Sequence, residues 1–501
     1  MMDPEYIYLL NGVVVNENHL KSDFYDCPGT PMVLYTGFVE RIFSLFRNAP
    51  LLEDCIQNPE TYLNAVNIVS IFLLVFILYY GGYFLYNRTK DIFTCLLVQS
   101  SIFAFDIVHY TSRVLAETVI LFFLLIFIFQ VIYYINTNSE ENGNKSNAAV
   151  MFALTLGILT ATKISVFPLF FIPLLLLKNT RSRLIYSGFA VLFFFIFAYP
   201  VLFNLNSFYK WMKSIFLHSG RYGSGDNVII SLPDFIQNLK TLFNMYRIVF
   251  YFLSLNLIVI VGGLFLKYRE KSSFSNKVYD AIAGLTICII IQTIIVGKHF
   301  ALHYYLPVIM MIPLNVYLLS NVLIDQWPFR YAKTVKDVVF LIAVILIMMA
   351  MHRYVIVDTR IRYDIMRKRG KTINYIRNHP SDMSLVFNSE AWNPYQEMGL
   401  WFGSLFTRKY RTLFIEKFNE IYPNRYFYVD QWDCFIDWEN NRYRLHEILS
   451  RHDSLLFFYN RTGKDFIDFI PTAVSSDSIS QDIIFNNNET NEIMAKIRLT
   501  H

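Results

Sequence analysis

Two acidic residues near the start of the chain are the first that could do chemistry. Asp3 and Glu5 flank Pro4, ahead of a long series of apolar segments. Two carboxyl groups this close suit a general base that takes a proton from an acceptor hydroxyl, while the second carboxylate tunes the pKa of the first or binds a metal. The alternative interpretation is a frayed and solvated terminus without a chemical role.

A second set of candidates is cationic, and its members all fall at junctions between apolar segments: Arg113, Lys163, Arg221, Lys298 and His299. Such groups gathered at one membrane surface could clamp a phosphate. Long basic side chains also snorkel to a membrane surface without any such role, and for a single residue this is the simpler interpretation. Lys163 is the exception, because it lies between two short apolar segments with Thr160 and Thr162 beside it. There we favour a functional role.

A glycine-rich segment, 219–226, contains Arg221 and Tyr222. Its glycines permit positive φ, so the segment can bend closely around a ligand. It matches no nucleotide-binding motif, since neither a strand nor a Walker lysine accompanies it. A substrate clamp and an ordinary flexible loop explain it equally well.

Two residue pairs have the i,i+4 spacing at which helical side chains meet. His299 and His303 could bind a metal at this spacing, yet no third ligand lies nearby in the sequence. We therefore expect these histidines to hydrogen-bond a phosphate or a sugar. Arg113 and Glu117 have the spacing of an ion pair, for which a structural role is expected.

The composition indicates the environment of these residues. Of the 501 residues, 54% are hydrophobic and 17% are charged, whereas about 25% are charged in soluble domains. This composition indicates an integral membrane protein. The net charge of +5 comes largely from short basic loops between apolar segments, so it favours a membrane topology over nucleic acid as a partner.

Apolar stretches recur along the chain, and we interpret about ten of them as membrane spans. Residues 165–177 are short for a span, and with 148–163 they are expected to form a hairpin that turns at Lys163. The predicted spans are 61–86, 91–110, 114–136, 148–163, 165–177, 184–203, 248–266, 279–297, 301–323 and 337–354.

The basic loops predict the orientation of these spans, because short loops rich in Lys and Arg stay in the cytoplasm. If every span is crossed once, one side receives the loops that contain Arg88, Lys90, Lys178, Arg181, Arg183, Lys267, Arg269, Lys271, Lys277, Arg330, Lys333 and Lys336. The opposite, outer side then receives all the candidate chemistry. We expect a bacterial inner membrane, with the site facing the periplasm or an equivalent lumen.

Three domains follow from this topology. Residues 1–60 are predicted to form a first outer loop with the acidic motif, and 61–354 a transmembrane helical domain. Residues 355–501 lack long apolar runs and mix short alternating stretches with helical patterns, so they are predicted to form an extracytoplasmic α/β domain.

Several motifs together resemble the GT-C superfamily of polytopic membrane glycosyltransferases, in particular its protein mannosyltransferase, aminoarabinose transferase and rhizobial lipopolysaccharide transferase-like groups. The resemblance covers about 1–355. It is moderately specific, because it depends on the order of the motifs and on their shared outer side. The motifs are Asp3-Pro-Glu-Tyr6, Asp26-Cys-Pro-Gly-Thr-Pro31, Arg113-Val-Leu-Ala-Glu117, Gly157-Ile-Leu-Thr-Ala-Thr-Lys163, Arg221-Tyr-Gly-Ser-Gly225, and Lys298-His299 with His303-Tyr304 and Pro307.

The resemblance implies a polyprenyl-phosphate sugar donor, an inverting transfer, and a lipid, glycan or protein acceptor. It assigns Asp3 as the base and Glu5 as its acidic neighbour. It implies no required cofactor, although Mg or Mn is compatible with it. The implied ligands of the donor phosphate or substrate are Asp26, Arg113, Lys163, Arg221, Tyr222, Lys298, His299 and His303.

The chain departs from the family pattern at two points. The family has a helix before the acidic loop, and none precedes Asp3 here. We therefore expect either an upstream span, which would bring the total to about eleven, or an inactive truncated homologue. Cys27 stands where the family commonly has a His.

Two other classes of protein remain open. A lipid or polysaccharide transporter or flippase would have inverted repeats and charges within its spans, whereas the charges here concentrate at the outer ends. A catalytically inactive membrane scaffold would tolerate the loss of the helix that anchors the base.

Overall fold

The structure is a computed structural model that describes residues 5–26, 28–103, 110, 113–137, 144–220, 223, 225–270, 277–326, 332–378, 384–388, 396–429, 434–460 and 479–499. The chain is mostly helical, with a small sheet in its C-terminal part. The first ten α-helices are α1 Glu5–Glu17, α2 Thr30–Ser44, α3 Leu51–Gln57, α4 Pro59–Thr89, α5 Ile92–Gln99, α6 Ala116–Ile135, α7 Asn144–Thr162, α8 Phe171–Leu176, α9 Thr180–Phe197 and α10 Tyr199–Phe203.

The remaining helices are α11 Leu205–Leu217, α12 Leu232–Met245, α13 Arg247–Glu270, α14 Lys277–Lys298, α15 Leu306–Met310, α16 Ile312–Gln326, α17 Ala332–Arg377, α18 Gln396–Leu405, α19 Thr412–Ile421 and α20 Leu445–Leu449. Short 3₁₀ helices lie at Ser100–Phe103, Ile164–Phe170, Leu302–Tyr305 and Arg408–Tyr410. The strands are β1 Ser384–Asn388, β2 Arg425–Val429, β3 Cys434–Ile436, β4 Arg442–Tyr443, β5 Leu455–Asn460, β6 Ile479–Asn487 and β7 Glu492–Leu499.

Seven helical segments in the described part of the chain are long and apolar enough to cross a membrane: Pro59–Thr89, Ala116–Ile135, Thr180–Phe197, Arg247–Phe265, Lys277–Lys298, Leu302–Leu323 and Lys333–Ile376. Each overlaps a predicted span. The other three predicted spans form shorter apolar helices at Ile92–Phe103, Ser146–Thr162 and Ile164–Leu176. The seven long helices are compatible with the predicted membrane protein.

The chain divides into two compact units. Unit 1 comprises Met1–Asp23, Tyr35–Val66 and Val355–His501, and unit 2 comprises Phe24–Leu34 and Asn67–Tyr354. Unit 2 contains most of the membrane-length helices. Unit 1 contains the sheet together with the N-terminal helix α1.

Close helix packing in unit 2 depends on glycine at two positions. A Cβ atom on Gly157 of α7 would lie 2.4 Å from the Cβ of Phe193 in α9, and one on Gly284 of α14 would lie 2.7 Å from the backbone of Ile172 in α8. Larger residues would force these helices apart. The apolar side chains of α6 and α7 form a buried core, as the edge-to-face contact of Phe127 with Phe152 illustrates.

The sheet of unit 1 has seven strands in the order β4-β3-β2-β1-β5-β7-β6. Its centre is parallel, since β1 pairs with β2 and with β5 in that sense. Both edges are antiparallel, through β3 and β4 on one side and through β7 and β6 on the other. Two of the short alternating stretches in the sequence, 384–387 and 455–459, are the neighbouring strands β1 and β5.

Both faces of this sheet are covered. The residues of β2 are all buried, and they alternate between the two faces. Tyr426 belongs to a core cluster that includes Ile448 of α20 and Phe457 of β5. Phe427 stacks on Trp401 of α18, with ring centroids 5.2 Å apart. The sheet is therefore a buried layer between helices.

The helix α1 packs on this α/β layer within unit 1. A Cβ atom on either Gly399 or Gly403 of α18 would lie 2.6 Å from Tyr6. Asn16 at the other end of α1 donates to the backbone carbonyl of Gly37 in α2 at 2.9 Å. The residues after the acidic motif are thus part of a folded unit.

Candidate functional site

A buried ion pair between Lys163 and Glu117 is the centre of the candidate site. The lysine Nζ lies 2.5 Å from Glu117 Oε1, and the two side chains are 9% and 8% exposed. Lys163 follows α7 directly and has an extended backbone conformation, while Glu117 is the second residue of α6. Adjacent ends of two packed helices therefore bring the two charges together.

Burial of these charges has a high cost. Each ion loses on the order of 5 kcal/mol of hydration free energy when it leaves water. The two helices that carry the pair, α6 and α7, are mostly apolar and do not replace this hydration. The opposite charge and the favourable position of Glu117 at a helix N terminus offset part of this cost. Ionisable residues among apolar helices are functional-site candidates for this reason.

Aromatic and imidazole groups surround the ion pair. The Lys163 ammonium lies 4.6 Å from the centre of the Tyr304 ring, a distance that suits a cation–π contact. His303 packs edge-on against Tyr304, with ring centroids 4.5 Å apart, and it interacts electrostatically with Glu117. Gln292 donates to the Tyr304 carbonyl at 2.6 Å and so fixes this turn.

The segment that contains Asp26 joins the same cluster through its backbone. Pro28 forms an isolated antiparallel bridge with Lys163, and the Gly29 amide donates to the carbonyl of Thr162 at 3.2 Å. Gly29 has a φ of +70°, a conformation that favours glycine. The segment that directly follows Asp26 in the chain thus meets the backbone of Lys163.

Burial raises the pKa of the Asp26 carboxyl group to about 6. A carboxyl group with a pKa near the working pH can accept a proton and release it again. The neighbouring Tyr25 packs against the buried Ala161 and Val201, which fixes the segment on the helices. Burial alone accounts for this shift of the Asp26 pKa.

Lys298 and His299 have a different environment. The Lys298 ammonium donates to the carbonyls of Ile215 and Phe216 at 2.8 and 2.6 Å. The ring nitrogens of His299 lie 2.6 Å from the Gly220 carbonyl and 2.9 Å from that of Ile215. Basic groups stabilise the negative end of a helix, so both residues hold the C terminus of α11.

A polar cavity of about 210 Å³ adjoins Lys298. Its walls include Ser219, Asp234 and Asn238, and Asn238 also donates to the carbonyl of Gly297 at 2.9 Å. Lys298 therefore lines a small polar space in addition to its contacts with α11. The predicted role of Lys298 and His299 as phosphate ligands stays a prediction.

Arg113 lies just outside α6, which begins at Ala116. Its carbonyl accepts from the hydroxyl of Thr118 at 2.6 Å. Because Arg113 precedes the helix, the i,i+4 spacing does not describe its relation to Glu117. Glu117 is bound instead by Lys163, 46 positions along the chain.

The described site residues fall into four places. Lys163, His303 and the Asp26 segment lie together in unit 2, and Lys298 and His299 are held on α11 in the same unit. Arg113 lies just before α6 in unit 2, and Glu5 opens α1 in unit 1. The remaining candidates, Asp3, Arg221 and Tyr222, lie outside the residues that the structure describes.

Sequence reasoning missed the pairing of Glu117 with Lys163 and the contact of Tyr304 with the ammonium. The available signal was the type of residue, since Glu117 and Lys163 are isolated charges at the ends of apolar segments. Their separation along the chain, however, does not indicate that they meet. Only the packing of α6 against α7 brings them together.

Within the described ranges, no group of three or more His, Cys, Asp or Glu residues could hold a metal ion. The compatible divalent cation, Mg or Mn, stays a prediction. Comparisons of the chain with protein-family models, with curated proteins and with solved structures gave no significant match. The functional interpretation therefore rests on the residues and their geometry.

Proposed function

We propose that this chain is an inverting glycosyltransferase of the GT-C type, which moves a sugar from a polyprenyl-phosphate donor to a lipid, glycan or protein acceptor. The observation that carries the proposal is the buried Lys163–Glu117 pair, with His303, Tyr304 and the Asp26 segment around it. A cation at the end of apolar helices suits a ligand that combines a phosphate with a long apolar chain.

Lys163 would bind the donor phosphate and stabilise the charge that develops on it. Glu117 keeps the lysine in place and balances its charge when no donor is bound. Because the pair is shielded from water, an electrostatic contact here is stronger than one at an exposed surface. Tyr304 and His303 would line the space beside the phosphate and contact the sugar.

The reaction needs one base and no strong acid. The base takes the proton of the acceptor hydroxyl, the acceptor oxygen bonds to the anomeric carbon, and the bond from that carbon to the phosphate oxygen breaks. The lipid phosphate leaves with the electron pair. A single displacement with base and leaving group on opposite faces inverts the anomeric centre.

Two carboxyl groups are candidates for this base. Asp3, with Glu5 beside it, is the residue that the family resemblance implies. Asp26 is supported by its place two residues before Pro28, which forms a backbone bridge with Lys163, and by its pKa of about 6. If Asp26 is the base, transfer slows as the pH falls below about 6, because the protonated carboxyl group cannot accept the acceptor's proton.

The test is transfer of radiolabelled sugar from polyprenyl-phosphate sugars to membrane acceptors by the full-length protein. The informative variant is the double substitution Lys163→Gln with Glu117→Gln, which keeps a hydrogen-bonded amide pair but removes both charges. We expect its transfer rate to fall by about 100-fold or more, the usual effect of losing one electrostatic contact to the transition state. Lys240→Gln, on an exposed position of α12, serves as the control and should leave the rate unchanged.

Two outcomes contradict the proposal. A folded double variant that transfers sugar at the wild-type rate would remove Lys163 from the reaction. Absence of transfer from every donor by the wild-type protein would favour a transporter or a scaffold. Asp3→Asn and Asp26→Asn, assayed from about pH 5 to about pH 8, then identify the base, because only the variant that lacks the base should lose transfer.

A further inference from the structure

A second candidate binding region lies in unit 2, away from the ion pair. It is a groove of about 570 Å³ between α4, α6, α7 and α9. Aromatic side chains form most of its wall, among them Phe76, Tyr80, Phe84, Phe129 and Phe152. A volume in this range is typical of small-molecule sites, which are mostly apolar and contain a few polar groups.

The groove lies at the opposite ends of the helices that form the Lys163 site. Lys163 follows the C terminus of α7, whereas the groove is lined by Asn147 and Ala148 at the N terminus of that helix. Glu117 opens α6, whereas Tyr133 from its last turn lines the groove. The two regions are therefore separated by roughly the length of a helix, about 1.5 Å per residue.

One end of the groove is electropositive. Three helices, α7, α9 and α14, begin beside it, and the N terminus of a helix carries a partial positive charge. Lys178 and Asn179, just before α9, and Lys277, the first residue of α14, line the same end. Backbone amides and ammonium groups together form an environment that suits an anion.

The contacts of the basic side chains hold them in place at this end. Lys277 Nζ donates to the carbonyls of Tyr134 and Thr137 at 3.0 and 2.6 Å, and Lys178 forms an ion pair with Asp280. Arg88 lies 5.5 Å from the centre of the Tyr133 ring. Among the described residues, three cations and one carboxylate leave a net positive charge at this end of the apolar groove.

The groove also opens along the apolar surface of unit 2. Phe76, Tyr80 and Phe84 recur at four-residue spacing on α4, and they are 55%, 53% and 52% exposed. An exposed aromatic stripe on a helix of membrane length faces hydrocarbon at low cost. An acyl chain can therefore enter from the side, while its charged headgroup remains at the positive end.

We propose that this groove binds one anionic glycerophospholipid, with an acyl chain among the aromatic side chains and the phosphate at the N termini of α7, α9 and α14. The basic loops at this end are those expected on the cytoplasmic side, where anionic lipids attract basic residues. The site is independent of the proposed sugar transfer, because it lies at the other end of the helices. The bound lipid joins α4 to α7 and α9 and stabilises their packing.

Native mass spectrometry of the full-length protein in detergent tests this proposal. We expect the wild-type protein to retain one phosphatidylglycerol molecule, with a dissociation constant about tenfold lower than that of phosphatidylcholine with the same acyl chains. Lys178→Gln should reduce this preference about fivefold, the usual effect of one basic residue on an anionic headgroup. Lys90→Gln, on the same side but outside the groove wall, is the matched control and should change neither affinity.

A second variant tests the apolar part of the site. Ala148→Trp should fill the groove and reduce binding of both lipids, with the loss also visible as a smaller increase of the melting temperature on lipid addition. Equal affinity of the wild-type protein for the two lipids, or unchanged binding by both variants, overturns the proposal. Displacement of phosphatidylglycerol by an equal concentration of polyprenyl phosphate, or by inorganic phosphate alone, also overturns it, because the groove would then be a donor or an anion site.

Discussion

The two units each bury a glutamate in a different way. In unit 2, Glu117 is paired with Lys163 at 2.5 Å. In unit 1, Glu40 of α2 is fully buried, and neither of its carboxyl oxygens has a hydrogen-bond partner among the described residues. It lies against Gly12 of α1, where an added Cβ would be 2.6 Å from the carboxyl group.

The difference shows which buried acid can act on a charged ligand. Burial raises the pKa of Glu40 well above its usual value, which favours the neutral, protonated form of this carboxyl group between the two helices. Glu117 instead has a cation beside it, which a donor phosphate can share. A buried carboxyl group with a charged partner therefore indicates a candidate binding site. A buried carboxyl group without such a partner indicates a role in helix packing.

The largest effect is expected from breaking the charged pair. Lys163→Gln or Glu117→Gln alone leaves one buried charge without its partner, which should destabilise the protein by about 3 to 5 kcal/mol. The double variant contains no buried charge, so most of this loss should be recovered. The measurement is thermal unfolding of the purified proteins in detergent, monitored by tryptophan fluorescence.

A double-mutant cycle gives the interaction energy of the pair. If the two single variants lose little stability and their effects add, the ion pair contributes nothing to the fold, and the contrast with Glu40 fails. The same cycle with Lys417 and Glu53 provides the control, because the side chains of that pair in unit 1 are 30% and 40% exposed and should show only weak coupling.

The second-largest effect is expected at Glu40, where the substitution should stabilise the protein instead of destabilising it. The folded-state pKa of Glu40 lies above the unfolded value of 4.5, so the folded chain binds more protons than the unfolded chain within this window. The free energy of unfolding therefore falls as the pH rises above about 4.5, by about 1.4 kcal/mol per pH unit until the folded-state pKa is reached. Glu40→Gln removes this dependence and should stabilise the protein at pH 8.

Thermal unfolding of wild type and Glu40→Gln at pH 5 and pH 8 measures this difference. The variant should be the more stable protein at pH 8, with a smaller advantage at pH 5. Gly12→Ala is the companion variant, and it should destabilise at both pH values by about 1 to 3 kcal/mol, because its Cβ has no space beside the carboxyl group. A lower stability of Glu40→Gln at pH 8 would indicate a charged partner for Glu40.

Much of the helical part could be predicted from the sequence, because a long apolar run specifies a membrane-length helix by itself. The predicted segment 61–86 corresponds to Pro59–Thr89, and 279–297 to Lys277–Lys298. Interruptions were harder to predict. The segment 184–203 breaks at Ala198 into α9 and α10, where Pro200 begins a new turn. The predicted hairpin at Lys163 corresponds to a change from α-helix to a 3₁₀ helix.

The site was predictable only in part. Residue type and position favoured Lys163, since an isolated lysine between short apolar segments has few structural explanations. Its partners Glu117 and Tyr304 depend on contacts between distant parts of the chain, which one sequence does not contain. For Lys298 and His299 the residue type was less informative, because basic residues at a helix end can bind backbone carbonyls as readily as a phosphate.

The smallest effect is expected at Asp54 in unit 1, which combines features of both glutamates. Asp54 is buried like Glu40, but it accepts two hydrogen bonds from Arg47, at 2.7 and 2.8 Å, and further bonds from Tyr62 and Asn58. The Arg47 hydrogen bonds lower the pKa of Asp54 to about 2. Because this value lies below the unfolded one, the stabilisation is present at neutral pH and is lost as the pH falls through about 2.

Asp54→Asn should therefore cost about 1 kcal/mol at pH 7, a value kept small by the partial exposure of Arg47 to solvent. The cost should shrink below pH 4, where the aspartate begins to lose its charge in the unfolded chain. Thermal unfolding of wild type and variant at pH 7 and pH 3 measures both values, with the exposed Glu420→Gln as a control. A cost that is the same at both pH values would mean that Asp54 acts through hydrogen bonds alone. The charge of Arg47 would then contribute little to the stabilisation by Asp54. A cationic partner would in that case distinguish Glu117 in unit 2, but not the buried acids of unit 1.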